Sequence, residues 1–388
     1  MPLPAQPRSA KVRSSPRRAG GSAVERLPPA LLWPLVMLLA ATSGCTRRRA
    51  PAPPLSGVPT APGASSARAT DAPAFVPCTR PAPLATGSSP PIVLAGIELI
   101  ARRAGQLEAR TTRDPLGRQA GRPERLLLGV LSDPREALPQ TLAQLARLQA
   151  RFRAAQVDAV VVLGGLDGAF VGAVRLLRAL RGPWALLALA GDRLSAEGFQ
   201  AALRHAEPGA IDLTRTQIVA LPQLTLVGIP GYPLPHHHLA GAQGCGFDAG
   251  ELALLGERLR GSTTPRLVLA HAPPRGRGPA AVDRARGEVN IGDSALRDWI
   301  ERNGVRFGVF GHVHEAAGQA TRLDGTPVAP ERWTDSLLLQ VGSIDAVPHQ
   351  QRDGRWSKGT AALLELEGER ARYTMITFGD EAALAGAF

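Results

Sequence analysis

The sequence predicts an α/β domain of layered sheets with helices outside, and three observations carry that expectation. From Pro91 to about residue 310, apolar strand-like runs alternate with amphipathic helices. After residue 310 the helical periodicity stops and only strand patterns follow. Polar residues recur just past the carboxyl ends of the buried runs, which is the edge where open α/β sheets bind ligands. Residues 92–388 suit one large domain, and no internal repeat divides them.

Taken in order, 92–101 is a first strand and 106–112 a second. The run 126–131 reads as a buried strand followed by a helix over 136–155, whose Leu138, Leu142, Leu145 and Leu148 recur at helical spacing. Strand 159–163, helix 169–180, strand 185–190 and helix 195–205 continue the alternation. Short strands at 217–220 and 224–229 precede helix 250–260 and strand 266–270. Helix 293–303 leads into strand 306–310, and then 336–341, 361–367 and 372–378 read as antiparallel strands. Asp133, Gly164, Asp192, His271, His312 and His314 lie just past the ends of five of these strands. One such residue is noise; five strands ending this way mark a site.

The formal charge of +12 is concentrated at one end. Residues 1–44 carry six cations against Glu25, Arg47, Arg48 and Arg49 follow, and residues 50–388 carry only +4. That distribution, with aromatic residues at 4%, leaves no base-stacking platform, and no nucleic-acid partner is expected. After the basic lead comes an apolar run of eleven residues, 31–41, too short to span a bilayer as a helix, which takes about 20. It ends Thr42-Ser43-Gly44-Cys45, which resembles the bacterial lipoprotein cleavage box. The resemblance implies a signal peptide over 1–44, lipidation of Cys45, membrane lipid as a partner and a place in the bacterial cell envelope; an ordinary cleaved signal is the alternative. Residues 45–91 are rich in Pro, Ala and Ser and read as a disordered tether. Three cysteines exclude a disulfide scaffold, and Cys78 and Cys245 form either one disulfide or two separate thiols.

The motifs at the strand ends are more specific. Leu131-Ser132-Asp133-Pro134-Arg135, Leu163-Gly164-Gly165, Ala190-Gly191-Asp192-Arg193, Ala270-His271-Ala272-Pro273-Pro274 and Phe310-Gly311-His312-Val313-His314 occur in the order of the calcineurin-like metallophosphoesterase motifs. Gln340-Val341-Gly342-Ser343-Ile344 looks like that family's Asn-Pro-Gly-Ser turn. The resemblance covers roughly 125–378 and implies an αββα sandwich, two mixed sheets flanked by helices. It also implies two Zn, Mn or Fe ions that clamp a phosphate and activate water.

The departures matter as much as the matches. Arg135 stands where the family has a metal-binding His, Gly165 where it has the bridging Asp, Asp192 where it has Asn, and Arg193 where it has the His that assists the leaving group. The first metal keeps only Asp133 and His314, whereas the second keeps Asp192, His271 and His312, a carboxylate and two imidazoles suited to one catalytic metal. One divalent metal rather than two, or none, is therefore expected. Asp167 either replaces the bridge or caps the following helix. His236, His237 and His238 either donate a ligand or form an exposed loop, and His205 and His349 read as surface or capping residues. Arg135 and Arg193 either grip a phosphate or carboxylate with their guanidinium forks, or pair with the Asp beside each. Two functions follow. One is a membrane-tethered phosphoesterase with a one-metal site, taking a phosphorylated or other anionic small molecule. The other is a non-catalytic envelope lipoprotein that uses the fold as an anion- or protein-binding module. The sequence says nothing of oligomeric state.

Overall fold

The computed structural model describes Cys78 and residues 92–110, 125–234 and 244–379. Two mixed sheets form its centre. The first runs, edge to edge, Arg370–Thr377, Thr360–Glu367, Arg125–Leu131, Ala159–Leu163, Ala185–Leu189 and Ile211–Asp212. Its last four strands are parallel, and the two carboxy-terminal strands add antiparallel at one edge. The second sheet runs Ile92–Leu94, Ile97–Arg103, Gln106–Ala109, Ile218–Ala220, Thr225–Ile229, Arg266–Ala270, Phe307–Phe310, Leu337–Gln340 and Ala320–Thr321. Here the four strands from Thr225–Ile229 to Leu337–Gln340 are parallel.

Side-chain alternation along the strands builds three apolar layers from two sheets, because successive residues face opposite sides. Leu126, Leu128, Val130, Val161, Leu163, Leu187 and Leu189 meet Leu226, Leu267, Leu269, Phe307, Val309, Leu337 and Leu339 between the sheets. On the outer face of the first sheet, Leu127, Leu131, Val160 and Val162 pack with Leu145, Leu148, Phe152, Leu177 and Phe199 of helices Pro139–Ala155, Phe170–Arg178 and Ala196–Ala206. On the outer face of the second, Val227, Val268, Phe310 and Leu338 pack with Leu252, Leu255, Leu296, Trp299 and Ile300 of Ala249–Arg258 and Ser294–Arg302. The result is the αββα sandwich that the motifs imply. Continuous buried runs such as Ala159–Leu163 are needed because both of their faces are covered.

Several local expectations change. The strand at 336–341 is Leu337–Gln340, and it runs parallel to Phe307–Phe310 rather than joining an antiparallel set; only Ala320–Thr321 pairs with it antiparallel. The residues between 310 and 337 provide the crossover that a parallel pair requires. The first long helix starts at Pro139, whose fixed φ suits an opening turn, not at 136. Ala169, not Asp167, is the N-cap of Phe170–Arg178. Asp167 instead accepts the Ala169 N–H at 2.9 Å and the Ala137 N–H at 3.3 Å, so its carboxylate ties two loops together. Ser195, Asp248 and Asp293 do cap their helices through their side chains.

Cys78 and Cys245 are joined in a disulfide across 167 residues. Both are buried. A closure of that length restricts the unfolded chain by about 5 kcal/mol in the chain-entropy account. His236, His237 and His238, Cys45, the segment assigned to the signal and, apart from Cys78, the segment assigned to the tether lie outside the described residues. Cys78 itself is buried and fixed to the domain, not part of a free tether. No helix among the described residues is long and apolar enough to cross a membrane.

Candidate metal centre

The strand ends of both sheets converge on one edge. Asp133 follows Arg125–Leu131, Gly164 follows Ala159–Leu163, and Asp192 follows Ala185–Leu189. From the second sheet, His271 follows Arg266–Ala270, while His312 and His314 follow Phe307–Phe310. Of the site residues read from sequence, Asp192, His271 and His312 come together as one group able to hold a cation. His271 Nε2 lies 3.2 Å from Asp192 Oδ1 and 3.2 Å from His312 Nδ1, and His312 Nδ1 lies 3.5 Å from Asp192 Oδ2.

These separations suit a metal. Four ligands about 2.0–2.1 Å from a tetrahedral ion stand about 3.3–3.4 Å apart along each edge. His271 is fully buried, and its Nδ1 donates to Leu163 O at 2.7 Å, which leaves Nε2 as the atom facing the group. A backbone carbonyl on the far nitrogen is the usual way in which a ligating imidazole is oriented. Asp192 Oδ1 is buried and makes no aligned hydrogen bond despite its short distance to His271. That leaves a carboxylate oxygen with a lone pair to give.

The electrostatics point the same way. Burial opposes charge on Asp192, yet His271 and His312 outweigh it and hold the carboxyl well below its usual range. Burial opposes charge on His271 as well, but Asp133 and Asp192 push it up to about 9. Both shifts have one cause, opposite charges drawn close together in a buried pocket.

Asp133 and His314 form a second pair alongside, His314 Nε2 standing 3.5 Å from Asp133 Oδ1. They are not part of the three-residue group. Asp133 Oδ2 accepts from Ser132 Oγ at 2.6 Å and from the His312 N–H at 2.8 Å, so this carboxylate also positions the His312 backbone. Its own carboxyl is held low by His271 and His314, against the effect of burial. The Gln340–Ile344 turn braces this corner. Ser343 Oγ donates to Asp133 O at 2.7 Å and Gln340 Nε2 to Gly311 O at 2.7 Å.

Backbone strain is concentrated here. Asp133, Arg135 and His312 have φ of 51°, 52° and 71°, left-handed values that cost a non-glycine residue about 1–2 kcal/mol each. Gly165, where the resemblance expects a bridging Asp, has φ +65°, and a Cβ there would stand 2.1 Å from Asp133 Oδ1. The lost bridge is therefore a packed-out position with no room for a side chain.

The two arginines do not pair with their neighbouring aspartates. Arg135 Nε lies 4.0 Å from Asp345 Oδ2, and Arg193 Nη2 lies 3.7 Å from Glu136 Oε1. Both contacts are long, and the side chains are 38% and 29% exposed, so neither guanidinium is locked in place. Two residues escape sequence reasoning. The buried Tyr232 ring lies 4.6 Å from the His312 ring, and its hydroxyl is pushed above its usual range by burial and then by Asp192 and Asp293. Its position just past Thr225–Ile229, on the same sheet edge, is the signal that could have found it. The His349 ring lies tilted 4.9 Å from the His314 ring, and burial and then His314 push it down to about 4; nothing in its spacing announces this.

No family model matches the chain, and no curated protein matches it. Among solved structures it is similar to a protein from Thermus thermophilus (12% identity, 64% of this chain and 98% of the other, TM-score 0.44). It is also similar to a dimetal phosphatase from Danio rerio (14% identity, 66% and 99%, TM-score 0.42). A third is the anchor in the inner membrane complex of Plasmodium (10% identity, 65% and 84%, TM-score 0.42). Likenesses this low transfer no activity, so the two-sheet fold and the Asp192, His271 and His312 group rest on this chain's own residues.

Proposed function

We propose that the chain is a metal-dependent phosphoric ester hydrolase with a one-metal site, tethered to the bacterial cell envelope through a lipid on Cys45. The observation that carries the catalytic part is the meeting of Asp192, His271 and His312 at the edge lengths of a metal's ligand set. The bound cation, Zn, Mn or Fe, would polarise a phosphoryl oxygen and lower the pKa of a water. The chain's own residues do the rest. Leu163 O fixes the tautomer of His271, and the Asp133 carboxylate holds the His312 backbone in its left-handed turn. Arg135 and Arg193, weakly held by distant carboxylates, are free to fork onto the oxygens of a phosphorylated or other anionic small molecule. The Cys78–Cys245 disulfide supports the envelope assignment, because such bonds persist in oxidising compartments.

A second reading, a non-catalytic module that binds an anion or a protein, is favoured by one observation: Gly165 leaves no room for a bridging carboxylate. Hydrolysis of a bis-aryl phosphate separates the two. Metal-dependent turnover that His312→Ala abolishes supports the hydrolase. A folded wild type with neither bound metal nor turnover supports the module.

A further inference from the structure

Two of the three candidate ligand residues touch one short segment, Asp192 through its backbone and His312 through the ring of Tyr232. The Gly244 N–H donates to Asp192 O at 3.1 Å, and a Cβ on Gly244 would stand only 2.3–2.5 Å from the Asp192 backbone. The Gly244 backbone thus lies directly on the peptide that carries one ligand. Next in sequence, Cys245 O accepts the Tyr232 N–H at 3.2 Å, and Gly246–Phe247 pairs with Tyr232–Pro233. Tyr232 is the residue whose ring lies against His312. A ladder of two residues on each side is too short to hold its own register in water. The Gly231 N–H donates to Ala190 O and Tyr232 and Phe247 pack into the core, and Cys78 ties the Cys245 side of the ladder through the disulfide and a 3.1 Å hydrogen bond from its own N–H to Gly246 O. His271 needs none of this, because it is fully buried and tied to Leu163 O.

We infer that Cys78 and Cys245 are positioning residues for the metal centre: their disulfide holds Asp192 and His312 at ligand spacing, and its reduction weakens cation binding while His271 stays in place. The inference rests on the reading of Asp192, His271 and His312 as metal ligands. Reduction by a water-soluble phosphine is balanced: the phosphine gives two electrons and becomes its oxide, water supplies the oxygen and two protons, and two thiols result.

The test uses the full-length chain and Co(II) as the probe, titrated by its visible absorption into the oxidised and phosphine-reduced protein, with far-UV circular dichroism recording the fold. The expected result is a dissociation constant about 10–100-fold higher after reduction, the range found when outer supports of a ligand are lost, and recovery on reoxidation. Equal affinity in both states overturns the inference. Should reduction unfold the chain, Gly244→Ala keeps the disulfide and displaces the Asp192 backbone. The same loss of affinity is then expected, and wild-type affinity overturns it. An oxidised protein that takes up no Co(II) sinks the metal reading instead. The clamp is then judged by imidazole NMR: His312 resonances that shift on reduction while those of His271 stay put support it, and unmoved His312 resonances overturn it.

Discussion

Placing an aspartate at position 165 restores the bridging carboxylate that the metallophosphoesterase motifs call for, and the structure predicts that Gly165→Asp fails to restore a second metal. The site has φ +65°, which costs a non-glycine residue about 1–2 kcal/mol. A Cβ would stand 2.1 Å from Asp133 Oδ1, 2.6 Å from its Cγ and 2.7 Å from its Cα, so Asp133 must move as a whole. Overpacking of this kind costs about 1–3 kcal/mol. A second carboxylate beside the buried Asp133 adds repulsion of a few kcal/mol at an effective dielectric of about 20. The total is roughly 4–9 kcal/mol, a large share of the ~5–15 kcal/mol that holds a native protein. At about 2–4 °C per kcal/mol the melting temperature falls by roughly 10–35 °C. The assay is thermal unfolding of wild type and variant, with metal content measured on both. Asp133→Gly in the same chain removes the obstruction, so the double variant is expected to lose less stability than the two single losses combined. A Gly165→Asp protein that melts like wild type and holds two cations refutes the reasoning.

Other expected outcomes follow from the same geometry. His271→Leu removes a buried ligand and leaves Asp133 and Asp192 without their shared partner, so cation binding is lost and stability falls by about 3–5 kcal/mol, read by calorimetry of the apoprotein. In the metal-free protein His271 sits at about 9, above its unfolded value near 6.5, so its contribution is complete below about pH 6.5 and is lost as pH rises through about 9. The apoprotein should therefore melt progressively lower between those values, and His271→Leu should lack that decline. Phosphine reduction of Cys78–Cys245 should lower the unfolding free energy by up to about 5 kcal/mol in denaturant titration, whatever it does to the metal. Arg193→Ala, whose present partner Glu136 lies 3.7 Å away, should change stability by less than about 1 kcal/mol yet raise the KM for an aryl phosphate at least tenfold.

How much of this was legible before the structure depends on the kind of force involved. The αββα sandwich was, because alternation within 126–131, 159–163 and 266–270 sorts side chains between two covered faces. The Asp192, His271 and His312 group was legible through the order of motifs at strand ends, since the packing of the two sheets brings those ends to one edge. The direction of Leu337–Gln340 was not, because a strand buried on both faces carries the same apolar pattern whichever way it runs. Asp167 reads as a cap, yet its oxygens serve the Ala169 and Ala137 N–H groups, a choice made by how two loops approach. The Cys78–Cys245 pairing and the contacts of Tyr232 with His312 and His349 with His314 join residues far apart in sequence. No local spacing encodes such contacts. Arg135 and Arg193 were legible as substitutions, whereas their partners Asp345 and Glu136 were set by tertiary packing.

The central claim is that Asp192, His271 and His312 hold one cation. Its most direct measurement is the metal content of the full-length chain after equilibrium dialysis against Zn(II) or Mn(II), beside His312→Ala shown to be folded by circular dichroism. The account predicts about one equivalent in the wild type and none in the variant. Two equivalents in the wild type, none at all, or one that survives His312→Ala would contradict it.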